Sequence, residues 1–343
     1  MAKKLQPASS GRVPSSIQDV ARAAKVSIAT VSRVINSPNL VSSETRDRVN
    51  TEITRLGYSP NPFAKGLITK ASRVLGFALP DIHGEFYSGL LQGANARARE
   101  LGYHLLVSAE SRADALRDGQ KALGFGIIDG LAIMITEPST AIWREARATC
   151  LPMVLMDTES EEADVDSILV DNAAGTREAV QHLLSATPPE RLFFVGGPQE
   201  NFDTRRRAEA FVATLKEAGA KPQARHLSFG AYSVDWGRRW VEEHFHELKG
   251  SAVLAGNDEI ALGILQGAQE RGLVLPRDLR LVGFDDTRLA TIVRPALSSV
   301  HVPMAAVGAA SIEALAARVE DPTIAKRVVR LPTTLVVRES SRV

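Results

Sequence analysis

Apolar positions recur at helical spacing through the first sixty residues and then give way to strand-like blocks. Ile17, Val20, Ala21 and Ala24 share one helical face, with Ser16 and Asp19 spaced as a capping box that has Asp in place of Glu. "KVS" is a tight break, after which Ser27 can cap a second helix carrying Val31, Val34 and Ile35 inward. "NSPN" stops that helix, and Ser42 is expected to cap a third with Val49, Ile53 and Leu56 facing a shared small core. From Arg73 onward the pattern changes. "RVLGFALP", "YHLLVSA", "DGLAIMI", "PMVLMD", "SILVD", "RLFFVGG", "SAVLAGN" and "RLVGFDD" read as strands, and segments such as "FYSGLLQGANARAREL" and "TREAVQHLLSA" between them read as helices. That alternation predicts parallel sheets covered by helices. So many βα units exceed one sheet, so two doubly wound subdomains are expected.

A chain of 343 residues is long enough for two or three units, and 44% hydrophobic with 24% charged residues is a soluble globular composition. The basic, Ser/Pro-rich start, residues 1–14, lacks an apolar h-region and reads as a disordered arm. No apolar run is long enough to span a membrane. The single cysteine, Cys150, cannot form an internal disulfide and reads as a small buried residue, consistent with a cytoplasmic location. The net charge of +1 conceals an asymmetry: residues 1–73 hold 12 Lys and Arg against 4 Asp and Glu, whereas the rest holds 29 against 36. A basic segment ahead of an acidic body is expected when only the first part meets a polyanion.

Two short helices joined by about three residues form a helix-turn-helix, whose second helix lies in the DNA major groove. With Val31, Val34 and Ile35 inward, the other face of that helix offers Ile28, Ala29, Ser32, Arg33 and Asn36. Arg33 suits the O6/N7 edge of guanine, and Ile28 and Ala29 suit thymine methyls. Ser27, Thr30, Ser32 and Asn36 can bond phosphates. A helical hairpin packing on protein would share this pattern, but the local basic excess argues against it.

The stretches "IQDVARAAKVSIATVSRVIN", "VSSETRDRV" and "LGYSPNPFAKGL" resemble the DNA-binding headpiece of the lactose/galactose repressor family, the LacI/GalR-type transcriptional regulators. The resemblance implies a headpiece over 15–59 and a hinge helix and linker over 60–72, with Leu67 wedging into the operator minor groove. Local chemistry agrees: Asn61 can cap, and Pro62 suits the first helical position. The resemblance extends over the body, 73–343, and implies a periplasmic-binding-protein-like fold with effector in a cleft between subdomains. The three crossings are expected near 170–172, 295–299 and 325–328. Subdomain one would then hold 73–170 and 298–326, and subdomain two 171–295 and 327–341. The family acts as homodimers, and this chain lacks the C-terminal heptad segment of the tetramers, so a homodimer is expected.

Ligands in open α/β sheets bind at the carboxyl ends of strands. Here those ends carry Asp81, Asp157, Asn257, Asp258, Asp285 and Asp286, a Gly-Gly loop leading into "NFDTRRRAEAF", and Tyr232 in "FGAYSVDW". By resemblance the effector site comprises Asp157, Arg207, Tyr232, Asn257 and Asp285, with Phe86 and Tyr87 as the aromatic pair of the other subdomain. Ala210 stands where the family usually has glycine, and Arg205 and Arg206 leave the choice of Arg207 open by a turn. Asp258 and Asp286 also fit simple helix caps. Carboxylates with one arginine and an aromatic face suit a neutral polyol such as a sugar, and a purine corepressor is the alternative. No metal-ligand spacing, cofactor motif or catalytic constellation is present: "HFH" at 244–246 lacks partners, and "GFGIIDG" precedes a strand instead of following one. The expectation is a DNA-binding repressor, not an enzyme, controlled by a small molecule. The alternative in another class is a solute-binding protein of sugar transport.

Overall fold

The structure is a computed structural model that describes residues 15–58, 71–80, 85–109, 118, 127–136, 151–159 and 165–342. The basic arm, the hinge segment with Leu67, Asp81 and Cys150 lie outside the described residues. The chain divides into two compact units, residues 1–72 and 73–343.

In the first unit, α1 (Ile17–Ala24) begins at a reciprocal capping box: the Ser16 hydroxyl accepts from the Asp19 N–H, and Asp19 accepts from the Ser16 N–H at 3.0 Å. Lys25 ends α1 in the left-handed region at φ 55°, which turns the chain within three residues. The Ser27 hydroxyl then accepts the Thr30 N–H at 3.1 Å and starts α2 (Ile28–Asn36). Ser42 occupies the N-cap position of α3 (Ser43–Leu56) but does not cap it: its hydroxyl instead donates to Thr45 Oγ1 at 3.0 Å. Val20, Ala21, Ala24, Val31, Val34 and Val49 are buried together. This small core is closed by Ile17, Ile35, Ile53 and Leu56.

The body contains β1 (Val74–Leu79), β2 (His104–Ala109), β3 (Gly130–Met134), β4 (Met153–Met156), β5 (Asp166–Val170), β6 (Leu192–Gly196), β7 (Leu227–Phe229), β8 (Ser251–Ala255), β9 (Leu279–Asp285), β10 (Ser298–His301), β11 (Val328–Leu331) and β12 (Thr334–Val336). They form two six-stranded sheets, ordered β11-β5-β4-β3-β1-β2 and β12-β10-β9-β8-β6-β7. Every pairing is parallel except β10 with β12. Most central strands are buried along their whole length, as expected when helices cover both faces.

Each subdomain contains one very close helix pair. Helices Glu85–Glu100 and Met304–Glu320 approach so tightly that a Cβ on Gly93 would lie 1.8 Å from the Ala305 carbonyl oxygen. The helices Val234–Leu248 and Asp258–Glu270 repeat the arrangement through Gly237 and Gly263.

The chain leaves the first sheet after Val170. The other two crossings fall later than the expected 295–299 and 325–328. Strand β10 stays in the second sheet, where the Ser299 hydroxyl donates to Asp258 Oδ1 at 2.6 Å. The chain returns between His301 and Met304. Residues 327–331 belong to the first sheet, where buried Asp166 accepts the Arg327 backbone N–H at 2.7 Å and pairs with Arg318 at 3.0 Å. The last crossing is therefore the short link Pro332–Thr333, between β11 and β12.

Candidate nucleic-acid interface and ligand cleft

Helix α2 buries Val31 and Val34, which leaves the opposite face outward. Ser27, Ile28, Ala29, Arg33 and Asn36 are exposed, and Thr30 and Ser32 are half-buried. Ile28 is an exposed large apolar side chain at 46%. Among the described residues of the unit, no packing explains such a side chain at a helix start. Arg33 makes no side-chain hydrogen bond or ion pair with any described residue. Ser27 and Thr30 hold each other at 2.9 Å, and the Asn36 amide donates to the Ser32 carbonyl at 3.0 Å. These polar groups are thus set in place on the helix surface.

In the body, strand ends from both sheets surround a cavity of about 530 Å³. It is lined by Phe86, Tyr87, Asp157, Arg207, Tyr232, Asn257 and Asp285, together with Glu85, Thr136, Asn201, Asp203, Asp258, Glu259 and Thr287. All seven body positions singled out from the sequence therefore meet in one cleft. Phe86 and Tyr87 open the helix Glu85–Glu100 and lie edge to face at 5.1 Å on the side of the first subdomain.

Arg207 organises the wall of the second subdomain. Helix Phe202–Glu217 begins at Asn201, whose side chain caps Thr204, and its pitch turns Arg207 inward while Arg205 and Arg206 stay exposed. Arg207 Nε donates to Asn172 Oδ1 at 2.8 Å, and Nη1 donates to the Gly256 carbonyl. Nη2 lies 3.7 Å from Asp203 and 3.9 Å from Asp285, and the guanidinium stacks 3.7 Å above the Phe284 ring. Burial works against its charge, but Tyr232, Asp203, Asp285 and Asp157 together outweigh it and hold the pKa up.

The carboxylates respond to the same environment. Burial pushes Asp157 well above the usual range, and Asp203 pushes it further while Arg207 opposes. Asp285 is raised to about 6 by burial, with Arg207 again opposing. Asp203 is raised by burial against the pull of Arg207 and the hydrogen bond from Asn172. Asp157 and Asp285 also adopt positive φ, 57° and 96°, which side-chain-bearing residues seldom do. Such backbone strain concentrates at ligand sites.

Tyr232 is anchored by Thr204 at 2.6 Å and by Asn201 at 3.3 Å, and burial pushes its pKa up to about 12. The Gly-Gly loop makes room for it, since a Cβ on Gly197 would lie 2.4 Å from the Tyr232 ring. Asn257 lines the cleft but also caps the next helix, with Oδ1 accepting the Ile260 N–H at 2.9 Å. That leaves its amide nitrogen and the second lone pair of Oδ1 to offer a ligand. Asp258 is not a cap. It accepts from the Thr287 N–H at 2.8 Å and from Ser299 at 2.6 Å, and burial raises its pKa to about 7. Asp286 is not a cap either, since it pairs with Arg338 at 2.7 Å.

The two subdomains touch across the cleft. The Phe202 N–H donates to the Thr136 carbonyl at 2.8 Å, Glu85 pairs with Arg288 at 3.6 Å, and Glu159 lies 3.9 Å from Arg206. Asn172, Asn201 and Asp203 are among the members of the site that the sequence reading passed over. Their signal was present: Asn172 opens a helix two residues after strand β5, Asn201 caps the helix that delivers Arg207, and Asp203 stands in the first turn of that helix.

A helix-turn-helix unit followed by a two-sheet body with a polar cleft at its strand ends defines a DNA-binding regulator built on a binding-protein scaffold. Residues 16–61 match the model of the lacI family of bacterial regulatory proteins, and residues 180–341 match a periplasmic binding protein-like domain. The chain is 34% identical to catabolite control protein A of Priestia megaterium, across 95% of this chain and 99% of that protein. It is 30% identical to the ribose operon repressor of Escherichia coli (strain K12), again across 95% and 99%. Among solved structures it is similar to the Lac repressor dimer bound to operator and the anti-inducer ONPF, with a TM-score of 0.86 and 28% identity across 96% of this chain and 99% of that one. The chain belongs to the lacI family and is a DNA-binding transcriptional regulator. These relatives are regulators, not enzymes. Among the described residues, no helix is long and apolar enough to cross a membrane.

Proposed function

We propose that the chain is an operator-binding repressor, active as a homodimer, whose DNA affinity is set by a polyol of the sugar class in the body cleft. Arg33, Ile28 and Ala29 read base edges, and Ser27, Thr30, Ser32 and Asn36 hold phosphates. Leu67 is the minor-groove wedge. The observation that carries the reading of the cleft is its donor set: buried carboxylates and one fixed guanidinium beside Phe86, Tyr87 and Tyr232. Carboxylates accept pairs of vicinal hydroxyls, and aromatic faces cover the apolar side of a sugar ring. The ribose operon repressor and the operator-bound Lac repressor dimer are consistent with this reading.

The cleft joins two subdomains, so a ligand that contacts both stabilises one relative arrangement of them. It can shift the DNA-binding equilibrium only by the difference in its affinity for the two states. A thermal-shift screen of sugars and nucleobases against the full chain tests the ligand class. A ligand at 100 times its Kd stabilises the folded chain by about 2.7 kcal/mol. Sugars are expected to raise the melting temperature; a response to purines alone overturns the polyol assignment. Mobility shifts with genomic fragments then test whether the responding ligand changes DNA binding.

A further inference from the structure

Among the described residues, five that are not glycine adopt positive φ. Lys25 closes α1, and Asp157, Asp285 and Asp286 stand at strand ends on the cleft side. The fifth, Arg73 at φ 56°, has neither reason. It is the first residue of the body and directly precedes β1. Its N–H donates to Asp129 Oδ2 at 2.8 Å, and its carbonyl accepts the His104 N–H at 2.9 Å. The Asp129 N–H in turn donates to the Val74 carbonyl at 2.8 Å. The Arg73 guanidinium lies 5.1 Å from the centre of the buried Tyr103 ring. Burial raises the Tyr103 pKa and Arg73 opposes, while Glu320 and Asp129 add to the rise, so the end of helix Met304–Glu320 faces the same group. Arg73 thus gathers the starts of β1, β2 and β3.

The opposite ends of two of these strands reach the cleft. Pro80 follows β1, Met134 ends β3 and Thr136 stands two residues on, and all three line the cavity. Residues Leu75–Ala78 of β1 pair with Gly130–Ile133 of β3, and Leu75, Phe77 and Leu79 are buried. The six residues of β1 span about 20 Å. Close-packed strands of this kind transmit displacement and do not absorb it. The pair is a strut with cleft-lining residues at one end and Arg73 at the other.

We propose that Arg73, clamped by Asp129 and Tyr103, is the positioning residue that fixes the direction in which the chain leaves the body, and so passes cleft occupancy on to the DNA-binding unit. The proposal rests on the ligand-responsive reading above and adds the residue through which the response leaves the body. A left-handed residue held by both its N–H and its carbonyl has one backbone direction open to it. The chain before it then moves with the first sheet whenever a ligand changes the arrangement of the subdomains. Once the clamp is released, rotation at position 73 absorbs that movement. Non-glycine residues in this conformation persist where their surroundings over-determine them, and they cluster at switch regions. Glycine at position 73 tolerates the same φ but populates others as readily.

The test is anisotropy of a labelled operator, selected by the wild-type chain from a random-sequence pool, with and without a saturating sugar. The probe is whichever of D-glucose, D-galactose and D-ribose raises the melting temperature of the full chain most. In the wild type the sugar is expected to change operator Kd by about 5- to 150-fold. In the double variant Arg73→Gly, Asp129→Ala that factor should fall below about twofold, while sugar affinity without DNA, measured by calorimetry, stays within about twofold of wild type. Asp129→Asn keeps an acceptor for the Arg73 N–H and should retain the response. Should the double variant not fold, Asp129→Ala alone is held to the same expectation. A folded variant that keeps the full response overturns the proposal and leaves the ligand-responsive reading intact. A parallel loss of sugar affinity also overturns it, because Arg73 then serves the fold of the body. If none of the three sugars changes operator Kd in the wild type, the sugar-responsive reading falls and the proposal falls with it.

Discussion

Replacing Arg207 with methionine keeps most of the side-chain volume over Phe284 but removes the only cation among the described residues of the cleft wall. Asn172 Oδ1 and the Gly256 carbonyl lose their charged donor, and Asp203 and Asp285 lose the guanidinium 3.7 and 3.9 Å away. Removing one partner of a buried ion pair costs about 3–5 kcal/mol, because the remaining charge stays buried. For a body of this size that lowers the melting temperature by roughly 10 °C at about pH 7.5. The loss must depend on pH. Asp157, Asp203 and Asp285 are already shifted upward by burial, and without Arg207 they rise further. Lowering the pH to about 5 favours their protonated forms in the folded variant, so the cost shrinks toward that of two orphaned acceptors, about 1–3 kcal/mol each at most. Urea unfolding of wild type and Arg207→Met at both pH values, followed by tryptophan fluorescence, measures the difference. An equal loss at the two pH values would refute the electrostatic account and leave Arg207 as a packing residue.

Three further outcomes are expected. Arg33→Ala should weaken operator binding by about 1–3 kcal/mol and relax the preference at one base pair per half-site, as fluorescence anisotropy on a set of operator variants would show; uniform weakening on all sequences makes Arg33 a phosphate contact instead. Gly197→Ala places a Cβ 2.4 Å from the Tyr232 ring, so it should reduce ligand affinity by displacing that ring while leaving ligand-free DNA binding intact; unchanged ligand affinity removes Tyr232 from the site. In the ligand-free wild type, Asp285 at about 6 and Asp258 at about 7 both lie above the ordinary 3.8, so their contribution is greatest below about pH 4 and is lost as pH rises through 6 and 7. Scanning calorimetry in that interval should show the body melting lower at each step up in pH, and a rising melting temperature contradicts the assignment.

Local features of the chain were legible because they are encoded locally. The Ser16–Asp19 box, the Ser27 cap and the break at Lys25 each depend on a few neighbouring residues, and they set the two helices that expose Arg33. Ser42 shows the limit of that reasoning, because its hydroxyl had a second partner in Thr45. The subdomain crossings depend on distant partners. "SSVH" and "VVRL" are both short apolar stretches, and their sheet membership follows from Asp258 and Asp166 far away in the sequence. The cleft was half legible. Strand-end position located Asp157, Asn257 and Asp285. The choice of Arg207 over Arg205 and Arg206 required the phase of a helix whose start is fixed by the Asn201 cap. Asn172 and Asp203 became members only once Arg207 was placed, since their side chains meet it and each other, at 2.8 Å from Asn172 to Asp203.

The claim that joins the two units is that occupancy of the cleft changes affinity for DNA. Anisotropy titration of a labelled operator with the full chain, in the absence and presence of a saturating sugar that stabilises the body, measures the coupling directly. The account predicts a change in operator Kd of about 5- to 150-fold, and the same factor must appear in the affinity of the sugar when operator is bound first. An operator Kd that stays constant while the sugar demonstrably fills the cleft would contradict it.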